Sequence, residues 1–353
     1  MKDKDEIIIS ADSHVMEPSN LWACLHDSYG DRTPRFPERR SGEGFERRPG
    51  GTDPHERLKE MLIDGVSSEV LYPTRALWLF GLEDADVQEA CFKVYNDWLI
   101  DYCKVAPRNL VGVPAISVYD INHSVRELER CTKAGLKGAL VWQIPHADLP
   151  LSSSHYDRLW AAAQDLGAPV SLHTLTGRKL GDSKHTTKGV ENYRRSIKTK
   201  LNDALDSLFN LIFYGALVRY PKLKIVFVEN EIGWIPFLLQ QWDEYYRRFH
   251  QDEPLPIDMP PSHYFNRQVY ATFIKDTVGG HNLEKWGMDN CMWSSDYPHS
   301  NSTWPDSRKI IERDLGHLPA ETRTKILCGN VTKLYDLDIA GADAELKKLE
   351  KVS

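Results

Sequence analysis

Ile7-Ile8-Ile9-Ser10-Ala11-Asp12-Ser13-His14-Val15-Met16-Glu17-Pro18 is the stretch on which the fold turns. A β-branched apolar run ends in a carboxylate and an imidazole two residues apart. In an extended strand, residues i and i+2 point to one side. Asp12 and His14 can therefore converge at the strand's C-terminal end, and Glu17-Pro18 then turns the chain away. Two such groups aimed at one point make half of a metal site. Alone, Asp-x-His is more often a surface carboxylate beside an ordinary histidine. The rest of the chain must supply the other half.

Seven further apolar runs follow: Val66 to Pro73, Leu110 to Ile116, Gly138 to Ile144, Pro169 to His173, Leu223 to Val228, Arg267 to Phe273 and Cys291 to Ser294. Between them lie segments with helical spacing, near 54–64, 84–104, 120–134, 154–166, 202–219 and 233–250. Asp53-Pro54 is a capping start and Asp64-Gly65 a stop. Two helices close the pattern, near 305–314 and 320–335. Continuous apolar strands alternating with helices indicate a parallel sheet covered on both faces. Eight such units predict an α/β fold, a closed (β/α)₈ TIM barrel with loop insertions. An open doubly wound sheet is the alternative, but no G-x-G-x-x-G follows the first strand. The expected organisation is one barrel domain over 1–340 and a charged surface tail over 341–353.

The 353 residues are 41% hydrophobic and 27% charged, enough for a large core. A net charge of −7 argues against general nucleic-acid binding. No apolar run is long enough to span a membrane, and the charged start does not read as a signal peptide. Six cysteines without C-x-x-C spacing read as reduced thiols, so a cytoplasmic protein is expected. A homodimer is the default expectation. Two basic segments stand out in this acidic chain. One, from Pro34 to Gly51, reads as a solvated loop. The other spans 178–200, holding Arg178, Lys179, Lys184, Lys188, Arg194, Arg195, Lys198 and Lys200 against Asp182 and Glu191. It reads as capture of an anionic substrate, a solvated helix or a dimer contact.

In a barrel all strand C-termini face one mouth, where active sites sit. Here the first strand ends in Asp12 and His14, the fifth in His173, the sixth in Glu229 and the eighth in Asp296. His299 and Trp304 follow Asp296 as candidate pocket residues. The motifs ADSHVMEP (11–18), PVSLHT (169–174), YPKLKIVFVENEIGWIP (220–236) and SSDYPHSNSTWP (294–305) resemble the amidohydrolase superfamily. They are most similar to the branch of amino-carboxymuconate-semialdehyde and γ-resorcylate decarboxylases.

The resemblance implies a divalent metal (Zn, Fe or Mn), one or two per chain, held by Asp12, His14, His173 and Asp296. Glu229 is a further ligand or an acceptor orienting a ligand histidine, and Glu231 is its competitor. The resemblance also implies Asp296, with Glu229, as catalytic acid–base. The first-strand pair departs mildly from the family's usual His-x-His or Glu-x-His. At the sixth strand the family's decarboxylases carry histidine, and here Glu229 stands instead. That departure favours a hydrolase using metal-activated water on an amide, ester or thioester, including acyl-CoA. Nonoxidative decarboxylation of an aromatic or unsaturated acid is the alternative. The expected substrate is small, bulky or anionic, with Arg178, His299 and Trp304 contacting it.

Overall fold

A computed structural model describes residues 6–37, 48–177 and 189–350. Eight strands form within it: β1 Ile9–His14, β2 Ser68–Tyr72, β3 Leu110–Gly112, β4 Ala139–Trp142, β5 Val170–His173, β6 Ile225–Val228, β7 Val269–Phe273 and β8 Cys291–Trp293. All eight fall in the expected runs. Every residue of each is buried, as a parallel sheet covered on both faces requires.

The strands pair in parallel as β1-β2-β3 and β4-β5-β6-β7-β8. Backbone hydrogen bonds join these groups at both seams. Leu140 N donates to Pro114 O at 2.8 Å and Ile116 N to Leu140 O at 2.9 Å. At the other seam Asp296 N donates to Asp12 O at 3.0 Å and His14 N to Tyr297 O at 2.6 Å. The strands thus follow chain order around a ring, the arrangement of a (β/α)₈ barrel.

The helices wrap this ring for local reasons. Helix Pro54–Asp64 starts where Asp53 accepts from His55 N and Glu56 N, and stops at Gly65, whose φ of 73° suits a residue without Cβ. Gly177 has φ 89°, and a Cβ there would sit 1.8 Å from Ile144 O, so only glycine lets the chain leave β5 this way.

Several elements differ from expectation. A helix expected from 202 begins at Val190 and runs to Phe213, inside the basic stretch. Its first turns carry Val190, Tyr193, Ile197 and Leu201 among cations, and these apolar side chains are exposed. The charges hid the periodicity. Arg178 and the rest of 178–188 lie outside the described residues, as do 38–47. The segment from 341, expected as a charged tail, belongs to helix Ile339–Glu350, because Ala342 and Leu346 bury against the body. Helix Pro261–Gln268 follows the proline-rich loop and was not expected.

One buried network ties the β8–β1 seam. Ser295 N donates to Ser10 Oγ at 2.8 Å, and Ser13 Oγ lies 3.0 Å from Ser295 Oγ. Ser13 Oγ also donates to Glu69 at 3.2 Å. Arg57, fully buried, pairs with Glu69 and donates to His14 O at 2.7 Å. Its guanidinium lies 4.3 Å from the centre of the Tyr297 ring. Arg57→Met strands the Glu69 charge in the interior. It is expected to cost about 3–5 kcal/mol in urea unfolding, whereas Arg57→Met with Glu69→Leu recovers most of that loss. A single-variant loss below about 1 kcal/mol would contradict this account of the seam.

Candidate metal centre

β1 does not deliver its pair by plain alternation. Its register slips between Ser10 and Ser13, so three steps on β1 match two on β2. This bulge at Ala11 and Asp12 re-aims the carboxylate toward His14. His14 Nδ1 lies 2.7 Å from Pro73 O, and His173 Nδ1 lies 2.8 Å from Thr174 O. A carbonyl only accepts, so both Nδ1 atoms carry the proton and both Nε2 atoms face the site as acceptors. Those two Nε2 atoms are 3.3 Å apart. Asp12 Oδ1 is 3.4 Å from one and 3.7 Å from the other. All three side chains are fully buried.

Around this nest stand three more groups. Asp296 Oδ1 is 3.6 Å from His14 Nε2 and 2.9 Å from His299 Nδ1. His299 stacks on His14 with centroids 3.9 Å apart, and its Nε2 lies 3.1 Å from Thr74 Oγ1. Glu229 Oε2 is 3.8 Å from His173 Nε2. Glu231 stands outside the candidate ligand groups: its Oε2 accepts from Ile274 N at 3.1 Å, just past the end of β7. Glu229, Glu231 and Asp296 have φ of 60°, 57° and 54°, a region L-residues avoid and functional sites tolerate.

The donor set fits a divalent cation. Both oxygens of Asp12 and of Asp296 are buried without a hydrogen-bond donor in bonding geometry. Such orphaned acceptors are costly unless a cation satisfies them. Asp12, His14 and His173 form one candidate ligand group, and His14, Glu229, Asp296 and His299 a second that shares His14. Carboxylates and imidazoles suit Mn, Fe or Zn.

The electrostatics agree. Burial opposes charge on Asp12, but the His14 and His173 imidazoles beside it hold it below the usual carboxylate range. Burial opposes charge on His173 too, yet Asp12 and Glu229 raise it to about 8. Burial, with His299 beside it, pushes His14 down. Asp296 is pushed up to about 7 by burial, reinforced by Asp12. Glu229 is raised by burial and by Asp296.

Asp12, His14, His173, Glu229, Asp296 and His299 therefore meet at one mouth. Trp304 stands to the side. Its Nε1 donates to Glu60 O at 3.1 Å and Arg48 covers its ring at 4.1 Å. The cleft it shares with Tyr297, His299 and Ser302 is small, about 40 Å³. The sequence reading missed Arg57, although it shares a helix face with Met61 and Asp64. It also missed the contact of Lys200 with Glu229, 3.4 Å from Nζ to Oε1. Lys200 thus pairs with an acid at the mouth.

Comparison with known proteins gives the site a family context. A family model described as Amidohydrolase matches residues 11–337. The chain is 26% identical over 261 residues to γ-resorcylate decarboxylase from a Polaromonas strain, covering 69% of this chain and 75% of that protein. Among solved structures, 5-carboxyvanillate decarboxylase from Sphingomonas paucimobilis superimposes with a TM-score of 0.72 at 20% identity, over 94% of this chain and all of that one. A dihydroxybenzoic acid decarboxylase from Polaromonas, with bound manganese and 2-nitroresorcinol, gives 0.73 at 19% identity over 96% and 99%. The expectation of a hydrolase is overturned by these relatives, which are decarboxylases. Where a metal is named among the solved structures it is manganese, one of the three expected, with no counterpart for zinc, iron or thioester cleavage. A divalent metal ion is the cofactor of this fold and donor set. No described helix is long and apolar enough to cross a membrane.

Cation binding must displace protons from this cluster. His173, raised to about 8, holds a proton that ligation removes. Manganese affinity is thus lost as pH falls through this value and below it. Isothermal titration should show roughly tenfold or greater weakening from pH 7.5 to 6, with proton release. Affinity that is flat over this range would contradict it.

Proposed function

Because the chain belongs to the amidohydrolase family, we propose that it is a metal-dependent, nonoxidative decarboxylase of an aromatic carboxylic acid. The observation that carries this reading is the acceptor nest of Asp12, His14 and His173 with Asp296 beside it. Relatives acting on hydroxybenzoates support the same reaction class. Asp12, His14 and His173 would hold the metal, with Asp296 on the substrate side. The bound ion, manganese by likeness to the neighbours, supplies Lewis acidity and a fixed anchor for substrate oxygens.

The protein's own groups then manage one proton. Asp296, raised to about 7, retains a carboxyl proton near neutral pH. It gives that proton to the ring carbon bearing the carboxylate. The carbon–carbon bond breaks, its electron pair restores the aromatic ring, and CO₂ leaves. The new C–H bond holds the proton from Asp296, so the step balances without an oxidant. His299 links Asp296 to Thr74 and is 12% exposed on its side chain, which suits it to return a proton from solvent. Burial of Asp12 and Asp296 keeps bulk water from competing.

The test is a panel of hydroxybenzoates, including 2,6-dihydroxybenzoate and 5-carboxyvanillate, with the manganese-loaded protein in D₂O. At least one should release CO₂ and gain deuterium at the vacated carbon. Asp296→Asn should lower kcat by about 10²–10⁴-fold. Neither CO₂ release nor ring deuteration across the panel would refute the reading.

A further inference from the structure

Glu229 has neighbours with opposite demands. On one side its Oε2 approaches His173 Nε2 at 3.8 Å, and its carboxylate belongs to a candidate ligand group with His14, Asp296 and His299. On the other, its Oε1 lies 3.4 Å from Lys200 Nζ. Two side chains set beside a cation site by chance would not share a common brace. These do.

Lys200 rides on helix Val190–Phe213. Ala204, Leu208 and Leu211 bury this helix against the body, and Ser207 Oγ donates to Gln143 O at 2.6 Å. Glu229 sits on the turn after β6. Its N–H donates to Thr272 Oγ1 at 2.9 Å. The next residue, Asn230, is fully buried and exchanges two hydrogen bonds with the Gln143 amide, at 3.0 and 3.2 Å. Gln143, at the end of β4, thereby ties the helix of the lysine and the turn of the glutamate to one point. The turn itself is held in a disfavoured shape, with Glu229 and Glu231 both at positive φ. That shape sends both carboxylates toward one ammonium: Lys200 Nζ is also 3.7 Å from Glu231 Oε1.

We propose that Lys200 is a positioning residue whose ammonium holds the Glu229 carboxylate out of the metal-binding group. The centre is thereby kept to one metal, and Glu229 is left to face the substrate. A carboxylate free of the lysine would be drawn to a dication beside His14 and His173. The lysine side chain is 34% exposed, against 14% for Glu229, so the pair lies at the open side of the mouth. This inference rests on the proposed role of Asp12, His14 and His173 as the metal-holding group.

Titration of the full chain with manganese alone tests it, by calorimetry for affinity and stoichiometry and by electron paramagnetic resonance for metal–metal coupling. The wild type should bind one manganese ion. Lys200→Ala should bind a second, coupled ion, or bind the first roughly tenfold tighter. Lys200→Arg should behave as wild type, because it keeps the charge. Lys200→Ala combined with Glu229→Gln should return toward wild type, because the effect passes through that carboxylate. If Lys200→Ala loses cooperative melting, Lys200→Met, which keeps the side-chain stem, supplies the reading. Unchanged or weaker binding in the lysine variants would overturn the proposal, as would an effect that persists with Glu229→Gln. A wild type that binds no manganese would instead refute the metal-holding group itself.

Discussion

Two imidazole nitrogens, each a lone pair, face one another at 3.3 Å with a buried carboxylate against both. Nothing in a polypeptide makes such an arrangement favourable by itself. The protein holds it by fixing each member from behind. Pro73 O and Thr174 O set the two tautomers, the β1 bulge turns Asp12, and the seam bonds pin Asp12 and His14 to Asp296 and Tyr297. Arg57 grips the carbonyl of His14 from beneath. In the bare protein the carboxylates of Asp12 and Glu229 raise His173 to about 8 against its burial. Asp12, His14 and His173 would hold a divalent cation there, which would satisfy their lone pairs.

This constraint explains what the sequence revealed. Strands buried on both faces read as unbroken apolar runs, and all eight were legible for that reason. A polar residue ending such a run is conspicuous, so Asp12, His14, His173, Glu229 and Asp296 were found. The supports were not. Arg57 looks like any helix arginine until tertiary packing covers it. The bulge in β1 leaves no mark in Ser10-Ala11-Asp12, because its partner strand creates it. Lys200 looks like one cation among eight, since nothing local says which of them turns inward.

Glu229 had the largest effect on the functional reading and misled it. A glutamate where decarboxylases carry histidine suggested a second metal ligand or a base for bound water. In the folded chain Glu229 also answers to Lys200, on an element far away in sequence. The charge that matters at the mouth is that of the pair, not of the glutamate alone. A single substitution at a strand end therefore says little about reaction class until the opposing side chain is known.

Pulsed electron paramagnetic resonance on the manganese-loaded full chain tests the central claim most directly, by counting the nitrogens coupled to the metal. Two imidazole nitrogens are predicted for the protein, and one for His173→Gln, since His14 and His173 aim Nε2 at the same point. No nitrogen coupling, or a spectrum unchanged by His173→Gln, would contradict it.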